Sequence, residues 1–243
     1  MMNNLVTTDW LEKNLSKVRV IDATWHMPNL KRESYKEYLE THISGSVFFD
    51  LDKNSNREKS LPHGHFLPPL IDHEKTISKM GISNTDRIVI YCFSNLISSC
   101  RAWFQFLYFG HDPRLVSVLN GGMKKWKLEG RKVTNLKTKI IPSNYKAKEN
   151  KNMIKIKSQI NENIKKKDFT VLDARSKNRF LGLEPEPRPG VKSGSIEGSK
   201  SIPLSEIVNL KDNTFLDTKK LREIFNSSDI NGNKIVMSCG SSV

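Results

Sequence analysis

The sequence predicts an α/β protein of two similar domains, each a central parallel sheet flanked by helices, the second incomplete at its C-terminus. Three observations carry this expectation. Short apolar runs rich in β-branched residues alternate with helix-like segments, the pattern of crossover units. The chain also repeats itself. Val20-Ile21-Asp22-Ala23 returns as Val171-Leu172-Asp173-Ala174, His42-Ile43-Ser44-Gly45-Ser46 as Ser195-Ile196-Glu197-Gly198-Ser199, and Asp86-Arg87-Ile88-Val89-Ile90-Tyr91-Cys92 as Asn233-Lys234-Ile235-Val236-Met237-Ser238-Cys239, at offsets of 151, 153 and 147 residues. Finally, 34 residues separate Cys92 from Trp126 in the first copy, whereas only four residues follow Cys239 in the second. A helix, a strand and a closing helix are therefore expected to be missing there.

In order along the chain, Asp9 is placed to cap a helix carrying Trp10, Leu11 and Leu15. Residues 18–23, 88–92 and 116–119 read as buried parallel strands. Residues 75–80 form a helix that stops at Gly81, and residues 101–109 form another, rich in Trp103, Phe104, Leu107 and Tyr108, before Gly110. Gly121-Gly122 is a turn, since it lacks the spacing of a phosphate loop. The domains are then residues 1–133, a basic linker over 134–152 with Pro142 and several Asn, and residues 153–243.

Hydrophobic residues make up 37% and charged residues 27%, a globular balance. No run approaches the ~20 apolar residues of a membrane-spanning helix, so no membrane association is expected. The opening MMNNLVTTDW has neither a basic nor an apolar leader region. Three cysteines make no disulfide framework, and a cytoplasmic, reducing location follows. The 40 basic against 26 acidic residues give +14, and from Arg131 to Lys167 twelve Lys/Arg face two acids. With Tyr145 as the one aromatic there, the stretch reads as a solvated linker and not as a nucleic-acid surface. The charge should still draw small anions.

A cysteine just past a buried strand and followed by Gly-Ser-Ser is positioned for reactivity. Ligands bind outside the carboxyl ends of strands in open α/β sheets, and a tight loop there turns several amides toward one point, favouring a thiolate. Cys239 fits this description. Arg179 and Arg188, in a loop holding Pro185, Pro187 and Pro189, could grip a small carboxylate through forked hydrogen bonds, or could pair with Glu184 and Glu186. Cys92 sits at the first-copy position of Cys239; packing is the better reading for it and for Cys100. His63, His65 and His73 lack a complete metal shell, so no metal is expected.

The motifs together resemble the tandem-domain rhodanese family, in particular its 3-mercaptopyruvate sulfurtransferases. They are Phe48-Phe49-Asp50-Leu51-Asp52, Leu61-Pro62-His63-Gly64-His65-Phe66-Leu67-Pro68, Arg101-Ala102-Trp103, Asn120-Gly121-Gly122-Met123 with Trp126, Asp173-Ala174-Arg175, Arg179-Phe180, Glu184-Pro185-Glu186-Pro187-Arg188-Pro189-Gly190, and Ser238-Cys239-Gly240-Ser241. The resemblance implies that Cys239 is the sulfur-accepting nucleophile, that Arg179 and Arg188 hold the donor's carboxylate, and that Gly240, Ser242 and Val243 of the same loop line the substrate site. It also implies a proton-relay role for Ser241, Asp52 and His65, with His63 competing for the last position.

The implied activity moves sulfane sulfur from 3-mercaptopyruvate, through a cysteine persulfide and without a cofactor, to cyanide or a thiol acceptor such as thioredoxin, releasing pyruvate. Thiosulfate is the alternative donor. The neutral Gly240-Ser241 pair beside two arginines suits a carboxylate monoanion better than a dianion. A monomer without a nucleic-acid partner is expected. The rival class is a catalytically silent, truncated binding module. A cysteine phosphatase ranks low, because Ser98 stands six residues after Cys92 where arginine is required.

Overall fold

The computed structural model describes residues 4–56, 65–187, 191–228, 230 and 234–240 of the 243. The first sheet is built from β1 (Leu5–Val6), β2 (Arg19–Asp22), β3 (Val47–Phe48), β4 (Ile88–Tyr91) and β5 (Val116–Leu119). It is parallel throughout, in the order β1-β5-β4-β2-β3. All four residues of β4 and of β5 are buried, as strands covered on both faces must be. The covering helices are α1 (Thr8–Asn14), α2 (Ser34–Glu40), α3 (Leu70–Lys79), α4 (Ile97–Tyr108) and α5 (Gly122–Leu128). Two apolar clusters fill the layers. One gathers Ile21, Phe49, Ile77, Ile90 and Phe106; the other gathers Leu11, Val20, Tyr91, Met123 and Trp126.

The second sheet has three parallel strands among the described residues: β6 (Thr170–Asp173), β7 (Lys200–Ser201) and β10 (Ile235–Ser238), ordered β10-β6-β7. Between β7 and β10 lie the hairpin strands β8 (Val208–Asn209) and β9 (Thr214–Phe215). The helices of this half are α6 (Lys157–Lys166), α7 (Lys177–Phe180), α8 (Leu204–Ile207) and α9 (Thr218–Ser227). Register makes the repeat explicit. Asp22 faces Tyr91 across β2 and β4, as Asp173 faces Ser238 across β6 and β10, so Cys92 and Cys239 occupy equivalent positions. The second apolar cluster is far smaller: Leu172, Ile202 and Ile230 are buried, with Ile207, Ile224 and Phe225 packed around them. Ile235 and Met237 of β10 are exposed.

Two expectations need correction. Thr7, not Asp9, caps α1: its hydroxyl accepts the Trp10 N–H at 3.1 Å. Asp9 falls inside the first turn, where its carboxylate pairs with Lys13 and favours the positive end of the helix dipole. The stretch 134–152 is not a free solvated linker either. Thr134 bridges to His42, the Ser143 N–H donates to the Ser78 carbonyl, and the Lys148 N–H to that of Phe109. Tyr145 is only 1% exposed, within the first core. The strap leaves its lysines in water while satisfying its backbone along the first domain, which composition cannot reveal.

Candidate functional site

Cys239 lies one residue past the carboxyl end of β10, and its side chain is exposed. Strand pairing fixes it there: the Ala174 N–H donates to the Ser238 carbonyl at 2.9 Å, closing the ladder just before the cysteine. The following Gly240 lies directly against the Arg179 guanidinium, and a Cβ at that position would collide with Nη2. Only glycine lets the cation come so close to the loop.

Arg179 is itself held. Ser176 caps the short helix α7, and from it Arg179 reaches Glu186, donating from Nε at 3.0 Å and from Nη2 at 2.5 Å. Arg175 grips the same carboxylate through Nη1 at 2.6 Å and turns its other edge to Asp173. The hydrogen bond from Arg179, foremost, holds the Glu186 carboxyl below the ordinary glutamate range despite its burial. Of the two pairings open on local sequence, Glu186 therefore takes Arg179. Glu184 bonds Asn178 and Ser176 instead, because its side chain lies on the α7 side of the loop. The pair does not remove Arg179 from the site: it fixes the fork in place beside Gly240.

The first domain holds the other residues singled out in the sequence. His65 Nε2 stands 3.0 Å from Asp52 Oδ1, and the ring meets Trp25 edge-on at 4.9 Å. Arg101, on the buried face of α4, donates from Nη2 to the His65 carbonyl at 2.8 Å. Burial pulls the Arg101 guanidinium down to about 10, and the nearby Cys239 works against that shift. Thus Arg101 of α4 in one domain lies close enough to Cys239 of the other to feel its charge.

The structure describes Cys239, Gly240 and Arg179 together in the second domain and Asp52 and His65 as a pair in the first, linked toward Cys239 through Arg101. Ser241, Ser242, Val243, Arg188 and His63 lie outside the described residues. Arg101 was visible in the sequence only as part of a motif, and Arg175 and Glu186 were not singled out as positioning groups. The signal for them was the Asp-Ala-Arg triplet at the end of β6 and the acid two residues before Arg188. Cys92 is fully buried, its thiol 3.5 Å from Ser99 Oγ and 3.7 Å from the Ser94 carbonyl, and burial pushes the Cys100 thiol up to about 12. Both read as packing.

Residues 7–129 match the family model of the rhodanese-like domain. A mitochondrial thiosulfate/3-mercaptopyruvate sulfurtransferase of Arabidopsis thaliana is 35% identical, over 98% of this chain and 68% of its own length. The human 3-mercaptopyruvate sulfurtransferase is 32% identical, over 98% of this chain and 82% of its own. Among solved structures, SseA of Escherichia coli, described as a 3-mercaptopyruvate sulfotransferase, superposes with a TM-score of 0.88 at 26% identity, covering all of this chain and 90% of that one. With an exposed cysteine at the strand end of the second of two similar α/β units, the chain belongs to the rhodanese family and is a sulfurtransferase.

Proposed function

We propose that the donor is 3-mercaptopyruvate and that Cys239 carries the sulfur as a persulfide. The Cys239 thiolate attacks the donor's sulfur. The carbon–sulfur bond breaks with its electron pair passing to carbon, and the enolate of pyruvate that leaves takes up one proton. The persulfide then passes its outer sulfur to a thiol acceptor such as thioredoxin, or to cyanide, and the thiolate returns. Electrons balance without a cofactor.

The observation that carries this reading is the Arg179 fork fixed by Glu186 against Gly240, one residue from an exposed thiol. A planar guanidinium suits a carboxylate, and Arg188 would supply the second grip. Asp52 and His65 are the pair that hands a proton to the enolate, with Ser241 beside the sulfur; Gly240, Ser242 and Val243 would line the donor site with amides. The competing donor is thiosulfate, favoured by relatives such as the bovine thiosulfate sulfurtransferase at 35% identity. Three cysteines outside any disulfide suit a reducing, cytoplasmic setting, and we take the protein to act as a monomer.

The test is pyruvate release from 3-mercaptopyruvate with a thiol acceptor, measured against thiocyanate formation from thiosulfate and cyanide. Pyruvate should dominate, and Cys239→Ser should abolish it. Arg179→Met should raise KM at least about tenfold, the loss of a bidentate charge-assisted contact. Faster turnover of thiosulfate would reverse the choice of donor.

A further inference from the structure

The duplication has a reciprocal contact that serves no chemistry in the second direction. In the first domain, the segment after Leu51 carries Asp52 and His65, and the His65 carbonyl accepts from Arg101, which feels Cys239. In the second, the segment after the equivalent Leu204 is the β8–β9 hairpin, and it crosses to the loop that follows Cys92. There the Asn213 side-chain amide donates to the Ser94 carbonyl at 3.0 Å. Asn213 is 7% exposed, in the left-handed region at φ 60°, with its own N–H donating to the Asn209 carbonyl.

Three further bonds fasten the hairpin to the β5–α5 turn. The Phe215 N–H donates to Asn120 Oδ1 at 2.9 Å, Lys124 Nζ to the Leu210 carbonyl at 2.6 Å, and Lys125 lies 3.6 Å from Asp212. Gly121 favours this approach, and Gly122 the packing of the turn on the Cys92 loop of its own domain. A Cβ on Gly121 would sit 3.1 Å from the Asp212 carbonyl, and one on Gly122 2.6 Å from the Cys92 carbonyl.

We infer that Asn213 and Asn120 are positioning residues for sulfur transfer: they clasp the first domain's unused copy of the active-site loop and so set where Asp52, His65 and Arg101 stand relative to Cys239. The inference rests on the sulfur-transfer reading for its kinetic consequence but not for the clasp itself. Arg179 and Cys239 share one domain, whereas Asp52, His65 and Arg101 belong to the other. Loosening the clasp therefore disturbs the chemical step more than capture of the donor.

The experiment uses the full chain with Asn213→Gly, which keeps the left-handed backbone and removes only the amide. In a Cys239→Ser background, iodoacetamide labelling of Cys92, read by peptide mass spectrometry, should accelerate about tenfold as the covering hairpin opens. With Cys239 intact, kcat for pyruvate release should fall about tenfold while KM stays within about twofold, as misplacement of catalytic groups predicts. Asn120→Ala should show the same split, and Asn120→Asp, which retains an acceptor for the Phe215 N–H, should restore it. Unchanged Cys92 labelling overturns the clasp. Faster labelling with undiminished kcat, or a loss carried by KM, overturns the positioning role. If the native chain releases no pyruvate, labelling still decides the clasp, and the sulfur-transfer reading falls separately.

Discussion

Asp22 and Asp173 hold the same place in the two sheets, and their surroundings differ most in the residue two positions on. Two residues after Asp173 stands Arg175, whose guanidinium spans both carboxylate oxygens. Two residues after Asp22 stands Thr24, whose N–H and hydroxyl reach only Oδ1 and leave Oδ2 without a hydrogen bond. Burial, the dominant cause, raises the Asp22 carboxyl from 3.8 to about 6. The sign follows from linkage. The buried carboxyl is protonated below its ordinary range at no cost, and stability is lost as pH rises through about 6, where a lone buried anion must form. Asp22→Asn should therefore stabilise the protein at pH 7.5 by about 1–3 kcal/mol and by little at pH 4, in urea unfolding at the two values. An equal effect at both would show that the carboxyl does not titrate in this window.

At the scale of elements, the outcome depended on how much of each segment's environment lay within the segment. Residues 116–119 were legible to the residue because all four side chains are buried and three of them, Val116, Val118 and Leu119, are apolar. The helix stop at Gly81 was legible too, since φ is 71° there and a Cβ would meet the Ile141 carbonyl at 2.6 Å. The β8–β9 hairpin was not. Two-residue strands in Val-Asn-Leu-Lys-Asp-Asn-Thr-Phe carry no periodicity, and their stability comes from the facing domain. Tyr145 escaped for the same reason, a core side chain inside a polar stretch. Its ring lies parallel to His111 and near His73 and Phe106. Tyr145→Ala should cost about 3 kcal/mol or more in urea unfolding by leaving a cavity, whereas Tyr145→Phe should cost much less. Similar losses for the two would assign the effect to the hydroxyl near His111 and not to packing.

Across the whole molecule, the two halves are unequal in what holds them. The first rests on a five-stranded sheet and two large apolar clusters; the second, among the described residues, on a three-stranded sheet with a separate hairpin and a cluster of three buried apolar residues. Amide hydrogen exchange should therefore be slowest in β2, β4 and β5, and at least about tenfold faster in β6 and β10 under native conditions. Comparable protection in the two sheets would contradict this picture of the second core. The neighbourhood of Cys239 and Arg179 at the strand end was legible, because the motifs that hold them are local. The part of Arg101 was not, because nothing within α4 reveals that its guanidinium feels a cysteine 138 positions downstream in the chain.

That closeness of Arg101 to Cys239 bears on inheritance. A duplicated gene usually frees one copy to drift, yet here the copy without the exposed thiol furnishes a charge for its sibling. Changes on its α4 that leave its own folding untouched would still alter the electrostatic surroundings of Cys239. The older view of such a half as a retired enzyme then gives way to that of a retained subunit, joined covalently to the partner it serves.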